Sequence, residues 1–255
     1  MTTLPYLDSP VPLAFAHRGF SREGLENSLP AFAAAAALGF THVETDVHTT
    51  ADGVAVVFHD ETLDRVSTGR GRIADLPAAV VAQARIGGTE PIPTLAAVVT
   101  AFPDLRFNLD VKDAGSVATL AAAIEELGLH DRVCVASFSD KRRRAVLRRL
   151  SRRTASSAGV GTMAAFVLLG WLPGPLLRPF LRGTDLLQIP VRVRWLKLAT
   201  PRLLARAHRL GLKVHVWTID DPARMHALFD LGVDGIMTDR GDLLAAVMRE
   251  RGYWS

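Results

Sequence analysis

The chain has 255 residues, 49% of them hydrophobic, with a net charge of +4 and a single cysteine, Cys134. That composition excludes a disordered chain and any internal disulfide framework. Residues 1–10 lack a basic and then apolar leader pattern, and the longest apolar stretch, Met163 to Leu172, is shorter than the roughly 20 residues a membrane helix needs. One domain over residues 1–255, in a reducing cytoplasmic compartment, is the expectation.

Short apolar runs alternate with Ala/Leu-rich helical segments, the pattern of a parallel α/β fold. In chain order the strand candidates are 13–17, 41–47, 54–58, 106–112, 132–137, 154–159, 185–191, 213–218 and 235–238. Ser28 stands before Leu29-Pro30, Thr200 before Pro201 and Asp221 before Pro222, each predicting a helix start, with Ser116 and Ser139 as two further caps. Nine strands are one too many for a closed (β/α)8 TIM barrel of about 250 residues. The surplus run is 54–58, because Thr49 to Gly53 is too short for a parallel crossover and carries a hairpin-type Asp-Gly. Residues 60–93 then read as a small insertion after the second and third runs.

The basic excess concentrates in Lys141 to Arg153, where Ala145, Val146, Leu147 and Leu150 supply an inner helical face. A solvated basic helix is the preferred reading over an anion patch, and no nucleic-acid motif accompanies it.

His17, Glu44/Asp46 and His59-Asp60 each close an apolar run, the position that carries catalytic groups in a barrel enzyme. Strand alternation puts His42, Glu44, Asp46 and His48 on one face, and Arg106, Asn108, Asp110 and Lys112 on one face of the next strand. Such inward polar residues must pair with one another, bind an ion or line a wet cavity. Three converging carboxylates (Glu44, Asp46, Asp110) favour a hard divalent cation, against the alternative of a salt-bridge lattice with Arg18 and Lys112. Two histidines at the same mouth suit proton transfer in both directions. His48 is a candidate substrate contact, His215 reads as core, and His130, His208 and His226 read as surface. Trp217 is expected to point into the mouth. The glycine-rich, basic Thr68 to Arg72 is read as a loop.

His17-Arg-Gly, Glu26-Asn-Ser, Glu44-x-Asp-Val, Thr50-x-Asp-Gly leading to His59-Asp60, Ile92-Pro-Thr-Leu, Asp110-Val-Lys112, Val216-Trp-Thr218 and Gly232 to Asp239 follow in the order seen in the glycerophosphodiester phosphodiesterases, which the chain resembles from about Ala14 to Leu244. The resemblance implies a TIM barrel that hydrolyses glycerophosphodiesters to sn-glycerol 3-phosphate and an alcohol. It implies His17 and His59 as general acid and base; our own expectation is that His59 is the acid. Glu44, Asp46 and Asp110 would ligate one divalent cation (Mg²⁺ or Ca²⁺, with Mn²⁺ as a third choice), Arg18 and Lys112 would contact phosphate, and Trp217 would lie against the glycerol. Asp110 stands where the family has Glu, and Leu25 and Gly241 stand where it has Pro. Residues 155–195 match least, and the apolar 163–181 is assigned to barrel helices and loops, with a membrane-surface contact as its alternative. Two other functions are weighed: a lysophospholipase D-like enzyme acting on lysolipids at a membrane, and a barrel that binds a phosphorylated ligand without turnover.

Overall fold

Eight parallel strands alternate with eight helices in the computed structural model, which describes residues 4–255. The strands are β1 (Leu13–His17), β2 (His42–Thr49), β3 (Arg106–Val111), β4 (Val133–Ala136), β5 (Ala155–Ser156), β6 (Leu186–Pro190), β7 (Lys213–Trp217) and β8 (Gly235–Thr238). The helices are α1 (Leu29–Leu38), α2 (Leu95–Ala101), α3 (Ser116–Glu126), α4 (Asp140–Leu147), α5 (Val160–Leu168), α6 (Pro201–Arg209), α7 (Pro222–Leu231) and α8 (Gly241–Glu250). The sheet runs β5-β4-β3-β2-β1-β8-β7-β6, and a parallel bridge from Ser157 to Leu186 joins its two ends. The expected TIM barrel is therefore present. The surplus run 54–58 forms Ala55–Val57, antiparallel to the end of β2, so it is an extension and not a barrel stave.

Strand alternation decides what each face meets. Val43 and Val47 of β2, with Phe107, Leu109 and Val111 of β3, are fully buried in the layer between barrel and helices. At the bottom the inward face is apolar, and there Phe15, Cys134, Leu186 and Met237 pack with Tyr6 and Leu7 of the entering chain. His42 belongs to this floor. It stacks edge-on against Tyr6 and Phe15, its Nε2 reaches the Tyr6 carbonyl at 3.0 Å, and burial lowers its pKa to about 4.

Ser28, Ser139, Thr200 and Asp221 cap their helices as expected, and Thr94, not among the expected caps, does so too: each accepts a hydrogen bond from a backbone N–H in its helix's first turn. Ser116 departs from expectation. It is the first residue of α3, and its N–H and hydroxyl both donate to Asp113 Oδ1, so the aspartate three residues earlier supplies the capping oxygen. The basic helix α4 also departs in one residue. Arg143 is wholly buried, donating to Ser156 Oγ, the Gly183 carbonyl and Asp140, while Lys141 and Arg144 remain exposed. It lies one helical turn before Val146, on the inner face, and the hydrogen bonds compensate its burial.

Two excursions decorate the C-terminal mouth. The insertion 60–93 carries its own core, in which Leu63, Ile73, Val81 and Ile86 pack on Val56 and Phe58. On the far side α5 leads into a loop with a short helical turn, Gly174–Leu177, and a two-stranded hairpin (Arg192–Val193 with Leu196–Lys197) follows β6. Among the described residues no helix is long and apolar enough to cross a membrane.

Candidate active site

The mouth is assembled from strand ends held in register. His17 lies opposite Glu44 in the β1–β2 ladder, and Asp46 lies opposite Asp110 in the β2–β3 ladder. A tight turn after β1 brings Arg18 over them. Gly19 has a φ of +80°, and a Cβ there would approach the Ala31 backbone to 2.7 Å, so only glycine allows this turn to pack on α1. Arg18 itself is left-handed, donates its backbone N–H to the Glu44 side chain at 3.3 Å and aims its guanidinium at Glu26 and Asp46.

Each histidine is oriented by its own carboxylate. His17 Nδ1 lies 2.6 Å from Asp239 Oδ1, and His59 Nδ1 lies 2.6 Å from Asp60 Oδ1. Asp239 and Asp60 both have lowered pKa values, so they are acceptors and the proton sits on Nδ1. The Nε2 of each ring is left without a hydrogen bond among the described residues. Burial opposes protonation of His17, but Glu44 and Asp239 outweigh it and its pKa is raised. Asp60 is held at about 2, chiefly by the Arg65 guanidinium and then by His59, and Arg65 also grips Glu26 at 2.7 Å.

The carboxylates differ in how they are compensated. Lys112 Nζ lies 2.8 Å from Asp46 and 2.7 Å from Asp110. Despite burial, Lys112 and Arg18 lower the Asp46 pKa, and Asn27 adds a hydrogen bond at 3.0 Å. The two aspartates in turn outweigh the burial of Lys112 and raise its pKa. Glu44 has no comparable partner: its nearest cationic side chain is His17 at 3.7 Å. Burial and the neighbouring Asp46 push Glu44 up to about 8. Among the described residues no three acidic or imidazole groups already surround one point as ligands, because Lys112 bridges two of the three carboxylates. The donor set still fits a hard divalent cation. Its all-oxygen chemistry is right, and the uncompensated Glu44 is the group that a cation beside it would ionise.

His17, His59, Arg18, Glu44, Asp46, Asp110, Lys112 and Trp217, all eight residues picked out in the sequence, line one cavity of about 720 Å³. Trp217 packs edge-on against Phe138 at 6.0 Å. The sequence matches the Glycerophosphoryl diester phosphodiesterase family over residues 17–243. The chain belongs to that family.

One relative of this family member is the Probable glycerophosphodiester phosphodiesterase 2 of Mycobacterium tuberculosis, 42% identical, with the match covering 99% of this chain and 96% of that protein. A human protein named Lysophospholipase D GDPD1 is 26% identical over 88% of this chain and 82% of its own length. A solved phosphodiesterase of Oleispira antarctica, in complex with the product sn-glycerol-3-phosphate, superposes with a TM-score of 0.77 at 24% identity, covering 94% of this chain and 97% of that one.

Other expectations change within the phosphodiesterase frame. His48 is not a substrate contact: its Nδ1 is bonded to Asp113 at 2.8 Å and its Nε2 to the His59 carbonyl at 3.2 Å, so it braces the His59 loop from beneath. His130 is not on the surface but buried against Glu125. His215 is core, as expected, with burial lowering its pKa to about 3. The orienting roles of Asp239, Asp60, Glu26 and Arg65 were not read from the sequence. Asp60 adjoins His59 and Asp239 closes the last strand, so strand-end position alone could have flagged both. Asn108 and Gln188 line the cavity too, and Asn108 Oδ1 and Gln188 Nε2 are buried without partners, two polar atoms suited to a hydroxyl-bearing ligand.

Proposed function

We propose that the chain hydrolyses glycerophosphodiesters to sn-glycerol 3-phosphate and an alcohol by proton transfer between two histidines. The observation that carries this is the pair of imidazoles, each fixed through Nδ1 by a carboxylate, opening Nε2 onto the cavity that holds Lys112 and Arg18. His17, its pKa raised, is the proton donor to the departing alcohol, and His59 takes the proton from the attacking water. This reverses the expectation that His59 is the acid. A new oxygen–phosphorus bond forms as the ester oxygen–phosphorus bond breaks, and the two transfers balance the protons. Lys112 and Arg18 offset the charge on the non-bridging oxygens, a contribution that requires charges already in place. A divalent cation held by Glu44, Asp46 and Asp110 would add charge neutralisation beside those oxygens. Trp217 forms a wall for the glycerol moiety.

Turnover of choline, ethanolamine, glycerol and inositol diesters by His17→Ala and His59→Ala, with EDTA and with Mg²⁺, Ca²⁺ or Mn²⁺ restored, tests this reading. Loss in both variants and loss with EDTA is expected. Full activity in either variant overturns the histidine pair, and full activity in EDTA overturns the cation.

A second substrate is favoured by one observation: the cavity wall away from the histidines is apolar, formed by Val160, Met163, Val167, Leu168, Val193 and Leu196. A leaving group with an acyl chain, as in a lysolipid, would bury that chain here, whereas a small headgroup would leave the wall wet. Faster turnover of lysolipid than of glycerophosphocholine supports this reading, and no turnover of lysolipid removes it.

A further inference from the structure

The net positive charge of the chain is concentrated in one stretch, and none of its cations belongs to the proposed catalytic set. Residues 141–219 hold seventeen of the 30 Lys and Arg but only one of the 26 acids, Asp185. That stretch carries +16 and the remaining residues −12, giving the overall +4. Asp185 is itself taken by Arg153 at 2.5 Å. Such segregation of sign produces a field that acts on a partner and does little for the fold.

Where this stretch reaches the barrel mouth, it also exposes large apolar side chains. Trp195 at the hairpin tip is 83% exposed, Trp171 after α5 is 79% exposed and Leu168 is 71% exposed. Arg192, Arg194 and Lys197 of the same hairpin are exposed, and among the described residues none of them pairs with a carboxylate. Val193 and Leu196, opposite each other in the hairpin, turn to the cavity, while the paired Arg192 and Lys197 take the other face. Lys141, also exposed, is the second residue of α4, just beyond Phe138 on the same rim.

We propose that this rim docks the barrel mouth on an anionic lipid surface. Trp171, Trp195 and Leu168 enter the boundary between headgroups and acyl chains, and Arg192, Arg194 and Lys197 lie on lipid phosphates. Aromatic rings suit that boundary because one end of each is apolar and the other tolerates water. Lysine and arginine extend their charge to the headgroups while their stems cover apolar surface. A second copy of the chain is a poor occupant, since a two-fold contact would set like-charged rims against each other. Docked in this way, the cavity opens towards the lipid. The proposal stands whichever diester is cleaved.

The test is sedimentation of the protein with vesicles of phosphatidylcholine, alone or with phosphatidylglycerol added, at low and high salt. Binding is expected only with the anionic lipid and is expected to weaken with salt. Each lost cation should cost roughly fivefold in partitioning, so that the variant combining Arg192→Gln, Arg194→Gln and Lys197→Gln binds roughly a hundredfold less. Trp171→Ser with Trp195→Ser should lose roughly tenfold or more and should abolish quenching by brominated lipid. Turnover of a soluble diester reports that these variants are folded, and if the tryptophan variant is not, the charge variant alone decides. No binding to the anionic vesicles, binding that neither variant weakens, or a solution dimer that buries Trp195 overturns the proposal. Salt-sensitive binding that survives loss of both tryptophans also overturns it, because that behaviour belongs to a purely polyanionic partner.

Discussion

The two sides of the mouth are built on opposite plans. On the side of the 60–93 insertion the charges pair with one another: Arg65 with Asp60 and Glu26, Arg72 with Glu61, and Lys112 across Asp46 and Asp110. On the side of α5 and the hairpin the cations stand unpaired among exposed apolar residues. A side chain that must hold a proton in one place needs partners with fixed geometry, whereas a wall that receives leaving groups of varied shape gains from non-directional apolar contact. On the proposed function, the first side sets the chemistry and the second sets what is brought to it.

Breaking the paired side should cost most. His59→Ala is expected to lower kcat by roughly 100- to 10,000-fold for every diester, as removal of a general acid or base does, which steady-state kinetics would show. Asp60→Ala leaves the imidazole in place but frees its ring. A loss of about 100-fold in kcat with little change in KM is expected from misplacement, and an equal loss in both would instead mean that the loop has collapsed. The apolar side should answer differently. Val167→Asp is expected to raise KM roughly ten- to a hundredfold for diesters with long apolar leaving groups, from lost burial, while leaving kcat on glycerophosphoglycerol nearly unchanged.

The smallest effect lies in stability against acid. The Asp60 pKa falls from its usual value to about 2 when folded, through Arg65 first and His59 after it. A depressed carboxylate contributes stability at a pH above its unfolded pKa of about 4 and loses that contribution as the pH falls through that value towards the folded one. Asp60 keeps part of its side chain in solvent and its partner Arg65 is half exposed, so the effect is a modest one. Asp60→Asn should therefore flatten the loss of thermal stability between about pH 4 and pH 2 without altering stability at pH 7 beyond the lost ion pair, as a melting series would show.

Much of the site was legible because strands alternate faces. Glu44 with Asp46, and Asp110 with Lys112, could be placed on inner faces from their spacing alone, and all four line the cavity. The extension at 54–58 was legible from a turn too short for any crossover. Pairings that join distant segments were not legible: Asp239 orients His17 across 222 residues and Asp113 holds His48 across 65. Arg143 was hidden for a related reason, since a run of basic residues reads as solvated until Ser156 and Gly183 supply its partners.

Sequence by itself determined the barrel, the polar strand ends that meet at one cavity and the family, because apolar periodicity and local motif spacing are properties of the chain read in order. Tertiary structure alone decided which carboxylate is left without a cation, which carboxylate orients each histidine and where the basic stretch meets exposed tryptophan. Those depend on distances between segments remote in sequence and on burial, and both exist only once the barrel has closed.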